Sequence, residues 1–140
     1  MTLSLPTAAT PIKWARYGKV PADNAAVLIV EDEALIRMNA VQMIEDAGYI
    51  ALEASNAADA IEILARRRDI GAVFTDINMR GSRSGLVLAH AIRDRWPPIY
   101  LIVTSGLPAE QELPLGAHFV RKPYENARVI ALLHELFDGT

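Results

Sequence analysis

Five short apolar runs alternate with segments of helical period between residues 26 and 137, and this alternation narrows the possible folds more than any other feature. The runs are AVLIV, YIALEA, GAVFTD, IYLIVTS and AHFVRK. Short runs rich in β-branched and aromatic residues and bounded by turn formers read as buried strands. After the first comes EALIRMNAVQMIEDAG, with Leu35, Met38, Val41, Gln42, Ile44 and Glu45 at helical spacing and Gly48 as a C-terminal cap. Ser55 or Asn56 caps a second helix through Ala60, Ile61, Ile63, Leu64 and Arg68. A third runs from Gly85 to Arg95 and stops at Trp96-Pro97-Pro98, and the last runs from Asn126 to Phe137. Alternating strands and helices build βαβ units, and strands apolar on both faces call for helices on both sides of a parallel sheet. Right-handed crossovers leave few topologies. The expected fold is a doubly wound, five-stranded α/β domain over residues 26–138. An irregular N-terminal arm, residues 1–25, precedes it. Three prolines and a glycine break any period there, while Trp14 and Tyr17 offer anchors to the domain or to a second chain.

With 140 residues the chain can bury the core of one domain. A net charge of -3 argues against a general nucleic-acid binder, which needs a basic face for phosphates. The absence of cysteine excludes disulfides, thiol catalysis and cysteine zinc sites. No apolar run approaches the roughly 20 residues of a membrane span. The N-terminus lacks the apolar stretch of a secretory signal. A cytoplasmic protein is expected. His90, His118 and His134 have no metal-like spacing and read as structural or surface residues.

In open α/β sheets, ligands bind beyond the carboxyl ends of the strands. Those ends hold Glu31 and Asp32 on the first strand, Asp76 on the third, Thr104 and Ser105 on the fourth, and Lys122 on the fifth. Ala54 and Ser55, on the second, add little. Three carboxylates from two strands make a hard oxygen site, which suits Mg²⁺ and would relieve their repulsion. Glu33 would then begin the helix, where its charge favours the dipole. The plainer reading is a solvated acidic cluster at a helix start, and it weakens once Asp76 and Lys122 share the pocket. Asp76, alone on its strand, is suited to act as a nucleophile that forms an aspartyl phosphate; a strand-ending cap is the alternative. Thr104 can hydrogen-bond a phosphoryl oxygen or merely shape a turn. Lys122 can pair with the same group as a point charge or sit at the surface, and Pro123 after it suggests a fixed peptide bond with cis as an option. In-line phosphoryl transfer needs little beyond a placed nucleophile, a cation and such donors.

Four separated elements, LIVEDE, VFTDINM, IVTSG and FVRKPY, stand in this order. Together they resemble the receiver domain of bacterial two-component response regulators, over Val27 to Phe137. The resemblance implies a flavodoxin-like sheet of strand order 2-1-3-4-5. It implies that Asp76 accepts a phosphoryl group from the phosphohistidine of a sensor histidine kinase or phosphotransfer protein. It assigns Asp32 and Asp76 as direct Mg²⁺ ligands with the Asn78 carbonyl, and Glu31 through water. It assigns the switch to Thr104 and Phe119, and a downstream protein partner would read it. Phe119 as an ordinary core aromatic does not exclude that role.

The chain departs from the family pattern in places. Arg80 follows Met79 where proline is usual, and RGSRSG looks one residue longer than usual, so Arg80 or Arg83 becomes a candidate to reach the phosphate. The stretch from Thr104 to Lys122 is shorter than the common pattern and contains Gly106, Pro108, Pro114 and Gly116, all poor helix formers. The family's fourth helix is therefore expected to be shortened or missing, with switching by loop ordering. Only DGT follows Phe137, so no output domain is expected. On the last helix, Val129, Leu132, Leu133 and Leu136 should face the sheet. Ala127, Ile130, His134 and Phe137 form a second stripe, either a partner or homodimer surface or additional core.

These features favour a stand-alone, Mg²⁺-dependent receiver, a switch of protein binding or a phosphoryl shuttle, that is no enzyme beyond slow self-dephosphorylation. One competitor is a non-phosphorylated receiver-like interaction module, whose site would have lost its acids or its amine. The other is a Mg²⁺-dependent phosphohydrolase, which would need a second acid where Asn78 stands.

Overall fold

The structure, a computed structural model, describes residues 25–79, 84–108 and 112–139. The elements are β1 (Ala26–Val30), α1 (Ala34–Asp46), β2 (Ile50–Ala54), α2 (Ala57–Arg66), β3 (Ile70–Asp76), α3 (Ser84–Arg95), β4 (Tyr100–Ser105), β5 (His118–Arg121) and α4 (Asn126–Asp138). All strand pairs are parallel, in the order β2-β1-β3-β4-β5. This is the expected 2-1-3-4-5 sheet. The arm with Trp14 and Tyr17, and the loop residues Arg80 and Arg83, lie outside the described residues. Ala25, assigned to the arm, is buried and already belongs to the core.

Side chains alternate across a strand, so a parallel sheet buried on both faces builds two cores. Leu28, Val30, Val73, Leu101 and Val103 meet Leu64 of α2 and Leu88 and Ile92 of α3. On the other face, Val27, Ile29, Phe74 and Ile102 meet Met43 and Ile44 of α1 and Val129 and Leu133 of α4. β2 is an edge strand, and Ile50 and Glu53 on it are exposed.

The helix ends follow their local chemistry. Gly48 takes φ +97 just past α1, where its N–H reaches the Glu45 carbonyl at 3.0 Å. Of the two candidates for capping α2, Asn56 does so: its Oδ1 accepts the Asp59 N–H at 2.8 Å. That helix ends at Arg66, so Arg68 lies beyond it. Helical spacing alone does not fix the inward face of α1. Leu35 and Met38 are 80% and 61% exposed, and the stripe on the sheet is Ala40, Met43 and Ile44. Several overlapping stripes have helical period, and only the packing direction chooses among them. The second stripe of α4 is likewise narrower than expected. Phe137 is core, with its ring 5.2 Å from Tyr49 and 5.5 Å from Tyr100.

No α-helix occurs among the described residues between β4 and β5, as the prolines and glycines there led one to expect. The segment is instead pinned to α3. Arg93 donates from Nε to the Leu115 carbonyl at 2.9 Å and from Nη1 to Pro97 and Ile99 carbonyls at 2.7 and 3.1 Å. His90 Nε2 lies 2.8 Å from the Glu112 carbonyl. Leu113 and Ala117 pack on the core beneath. Replacing Arg93 with Met keeps the stem but removes the donors, so urea denaturation should show a loss of roughly 1–3 kcal/mol. Arg93→Lys, which cannot reach three acceptors at once, should fall between that variant and wild type. Among the described residues, no helix is long and apolar enough to cross a membrane.

Candidate functional site

Parallel strands end on one edge of the sheet, so strand order dictates which terminal residues become neighbours. Asp76 pairs in register with Thr104, and Thr104 with Val120 of β5. The ladder continues past the strands: the Ile77 N–H donates to the Thr104 carbonyl at 3.0 Å and the Lys122 N–H to the Ser105 carbonyl at 2.8 Å. On the other side, the Glu31 N–H donates to the Ala54 carbonyl at 3.1 Å. Residues far apart in the chain thus meet along one rim.

Lys122 Nζ lies 2.8 Å from Asp76 Oδ2 and 3.6 Å from Glu31 Oε1. Glu31, Asp32 and Asp76 each present a carboxylate oxygen, all within 4.8 Å of one another. Asp76 Oδ1 accepts the Asn78 N–H at 3.0 Å. Glu31 Oε2 accepts the Glu33 N–H at 3.1 Å. Glu33 itself is the exposed N-cap residue of α1 and adds no carboxylate to the cluster, in keeping with its expected place at the helix start. The peptide bond between Lys122 and Pro123 is cis.

Glu31 and Asp76 are buried, and Asp32 is half-buried. Burial pushes the Glu31 carboxyl above its usual range; the Glu33 N–H and the Lys122 charge oppose this, while Asp76 and Asp32 reinforce it. For Lys122, burial alone would lower the pKa. The hydrogen bond and charge of Asp76, with the charge of Glu31, outweigh it and raise the amine above the ordinary lysine value. The ammonium is therefore charged throughout the neutral range, but it faces three carboxylates. Such a cluster of hard oxygens, from two strand ends and short of positive charge, fits Mg²⁺.

Thr104 is buried, and its hydroxyl finds no hydrogen-bond partner among the described residues. An unpaired buried hydroxyl costs about 1–3 kcal/mol. Glu31, Asp76 and Thr104 line one small cavity, closed by Phe74 and Tyr124, whose rings meet edge-on at 5.5 Å. The orphaned hydroxyl thus lies in the same cavity as the Asp76 carboxylate. Thr104→Val should raise the thermal stability of the protein by about 1 kcal/mol. Thermal denaturation of the variant beside wild type checks this. Phe119, assigned to the switch, is half-buried against the core layer of α2 and α3.

Three neighbours of the site escaped the sequence reading of roles. Ser105 Oγ accepts both the Asn78 side-chain amide at 3.3 Å and the Leu107 N–H at 3.0 Å, joining the loop after β3 to the segment after β4. Tyr124 packs over the cavity, and burial raises its phenol pKa. Arg37 donates to the Glu31 carbonyl at 2.8 Å. The polar residue after Thr104 signalled the first. The aromatic two residues after Lys122 signalled the second. Nothing in the sequence distinguished Arg37 from any exposed helix arginine.

Comparison with known proteins gives a consistent result. Residues 27–134 match the model of the response regulator receiver domain. A putative response regulator NtrX-like protein of Rickettsia bellii is 34% identical over 120 residues, covering 81% of this chain and 25% of that protein. The aerobic respiration control protein ArcA of Escherichia coli is 33% identical, covering 81% of this chain and 49% of its own length. The chain thus spans about a quarter of the first relative and about half of the second. The crystal structure of a response regulator receiver protein from Pseudomonas putida superposes with a TM-score of 0.72 at 29% identity, covering 79% of this chain and 96% of the other.

Proposed function

This chain belongs to the response regulator receiver domain family, and on that premise we propose that it is a signalling switch that accepts a phosphoryl group on Asp76. The observation that carries the reading is the Asp76 carboxylate 2.8 Å from the Lys122 amine, within a cluster that also holds Glu31 and Asp32. The donor is the phosphohistidine of a sensor histidine kinase or phosphotransfer protein. An Asp76 oxygen attacks phosphorus in line, the new O–P bond forms as the N–P bond breaks, and the imidazole leaves with the electron pair. Glu31, Asp32 and Asp76, with the Asn78 carbonyl, would hold Mg²⁺, which when bound neutralises charge on the transferring group. The Lys122 ammonium pairs with a phosphoryl oxygen as a point charge. The Thr104 hydroxyl, unpaired before transfer, donates to another. Gaining that bond draws Thr104 toward the phosphate, lets the Phe119 ring turn inward, and reorders the segment after β4, which a downstream protein reads.

The test is incubation with acetyl phosphate, followed by intact mass. One phosphoryl group per chain should appear with Mg²⁺ and none with excess chelator, and it should be lost slowly by hydrolysis. No uptake under either condition would favour a receiver-like interaction module instead. Repeated turnover of a small phosphate ester would point to a phosphohydrolase.

A further inference from the structure

The turn that carries Glu31 and Asp32 is held by a residue outside the acidic cluster, bonded to its backbone. Arg37, in the first turns of α1, is mostly buried for an arginine, its side chain only 19% exposed. Nη1 donates to the Glu31 backbone carbonyl at 2.8 Å. Nε donates to Glu53 Oε1 on β2 at 2.9 Å. The planar guanidinium cannot serve both acceptors unless the acid turn, the start of α1 and the end of β2 keep one relative placement. The Glu31 peptide is then fixed on both sides. Its N–H is bonded to Ala54 of β2 and its carbonyl to Arg37. Fixing that carbonyl fixes the peptide plane between Glu31 and Asp32, and with it the direction in which the Asp32 side chain leaves the backbone.

We propose that Arg37 is a positioning residue for the cation pocket, with Glu53 as its anchor. The proposal rests on the reading that Glu31, Asp32 and Asp76 bind Mg²⁺. Outer contacts that orient metal ligands typically change affinity by about 10- to 100-fold when removed. The sign of the effect separates positioning from simple charge. A guanidinium near three acids repels an incoming cation, so if charge were its only influence, removing it would tighten Mg²⁺ binding. If Arg37 positions the turn, removing it loosens binding.

The test is Mg²⁺ titration by calorimetry on the full chain, with folding followed by circular dichroism. Arg37→Met should weaken Mg²⁺ binding roughly tenfold. Arg37→Lys keeps the charge but loses the fork, and should lie between Met and wild type. Glu53→Gln leaves the Glu31 contact in place and should weaken binding by less than Arg37→Met; if Arg37→Met does not fold, this variant carries the test, and wild-type affinity in it overturns the proposal. Wild-type Mg²⁺ binding with equal or tighter binding in Arg37→Met overturns the positioning role and leaves the proposed function standing. No Mg²⁺ binding by wild type overturns the cation pocket itself, and the positioning role with it.

Discussion

Asp76→Asn is expected to reduce phosphoryl uptake from acetyl phosphate to background while the domain stays folded. The amide is nearly the size of the carboxylate, and its oxygen can still accept the Asn78 N–H now bonded to Asp76 Oδ1. What it lacks is a nucleophilic oxygen carrying charge. It also removes one of three crowded acids, which relieves repulsion, but it takes from Lys122 a charge-assisted bond of 2.8 Å. These changes oppose one another, so the unfolding midpoint should move far less than the activity. Lys122 keeps Glu31 at 3.6 Å as a remaining partner. Intact mass after incubation with Mg²⁺ and acetyl phosphate gives the answer. A variant that gains as much mass as wild type places the acceptor elsewhere.

Gly85→Ala should strongly destabilise this protein. A Cβ at Gly85 would lie 1.9 Å from the Asp76 carbonyl oxygen, 2.6 Å from that of Ile77 and 2.7 Å from the Ile77 Cα. All three are backbone atoms, so no side chain can rotate away. Gly85 is buried in the first turn of α3 and donates its own N–H to the Ile77 carbonyl at 3.0 Å. Making room means pushing α3 off the end of the strand that carries Asp76. A cost of at least about 3 kcal/mol is expected, large against the roughly 5–15 kcal/mol that holds a domain together. Any fraction that stays folded should be phosphorylated poorly, because the displaced carbonyl is that of Asp76 itself. Gly106→Ala provides the control. Its Cβ would meet nothing within 4 Å, and the stability should change by no more than about 0.5 kcal/mol. Urea denaturation of the two variants beside wild type gives the comparison.

The strands and the residues at their ends were legible in the sequence because a parallel sheet leaves little freedom. Once AVLIV and GAVFTD are neighbouring strands, Glu31 and Asp76 must emerge side by side. The absence of an α-helix among the described residues between β4 and β5 was legible from Pro108, Pro114, Gly106 and Gly116. What replaced it was not. Arg93 reads as a surface charge until the fold brings the Leu115, Pro97 and Ile99 carbonyls to it. The same holds for Arg37 and for Gly85, whose importance lies in how closely a distant backbone approaches. Leu35 and Met38 stand at helical spacing yet are exposed, because such spacing does not say which way the helix is turned. The Thr104 hydroxyl, unpaired among the described residues, belongs to the same class: a threonine after the apolar run YLIV predicts a strand end, whereas the lack of a partner is a property of the packed cavity.

The central claim is that Glu31, Asp32, Asp76, Thr104 and Lys122, from four strand ends, surround one cation-holding pocket. Mn²⁺ prefers the same oxygen ligands as Mg²⁺ and broadens nearby amide resonances. Titrating a small fraction of Mn²⁺ into labelled protein should broaden the amides of residues 31–33, 76–78, 104–105 and 122 together, and excess Mg²⁺ should restore them. Amides at the opposite end of the sheet, such as Ala26 and Ile70, should stay sharp. Broadening spread over the acidic surface, or confined to residues 31–33 with Asp76 and Lys122 untouched, would contradict the account.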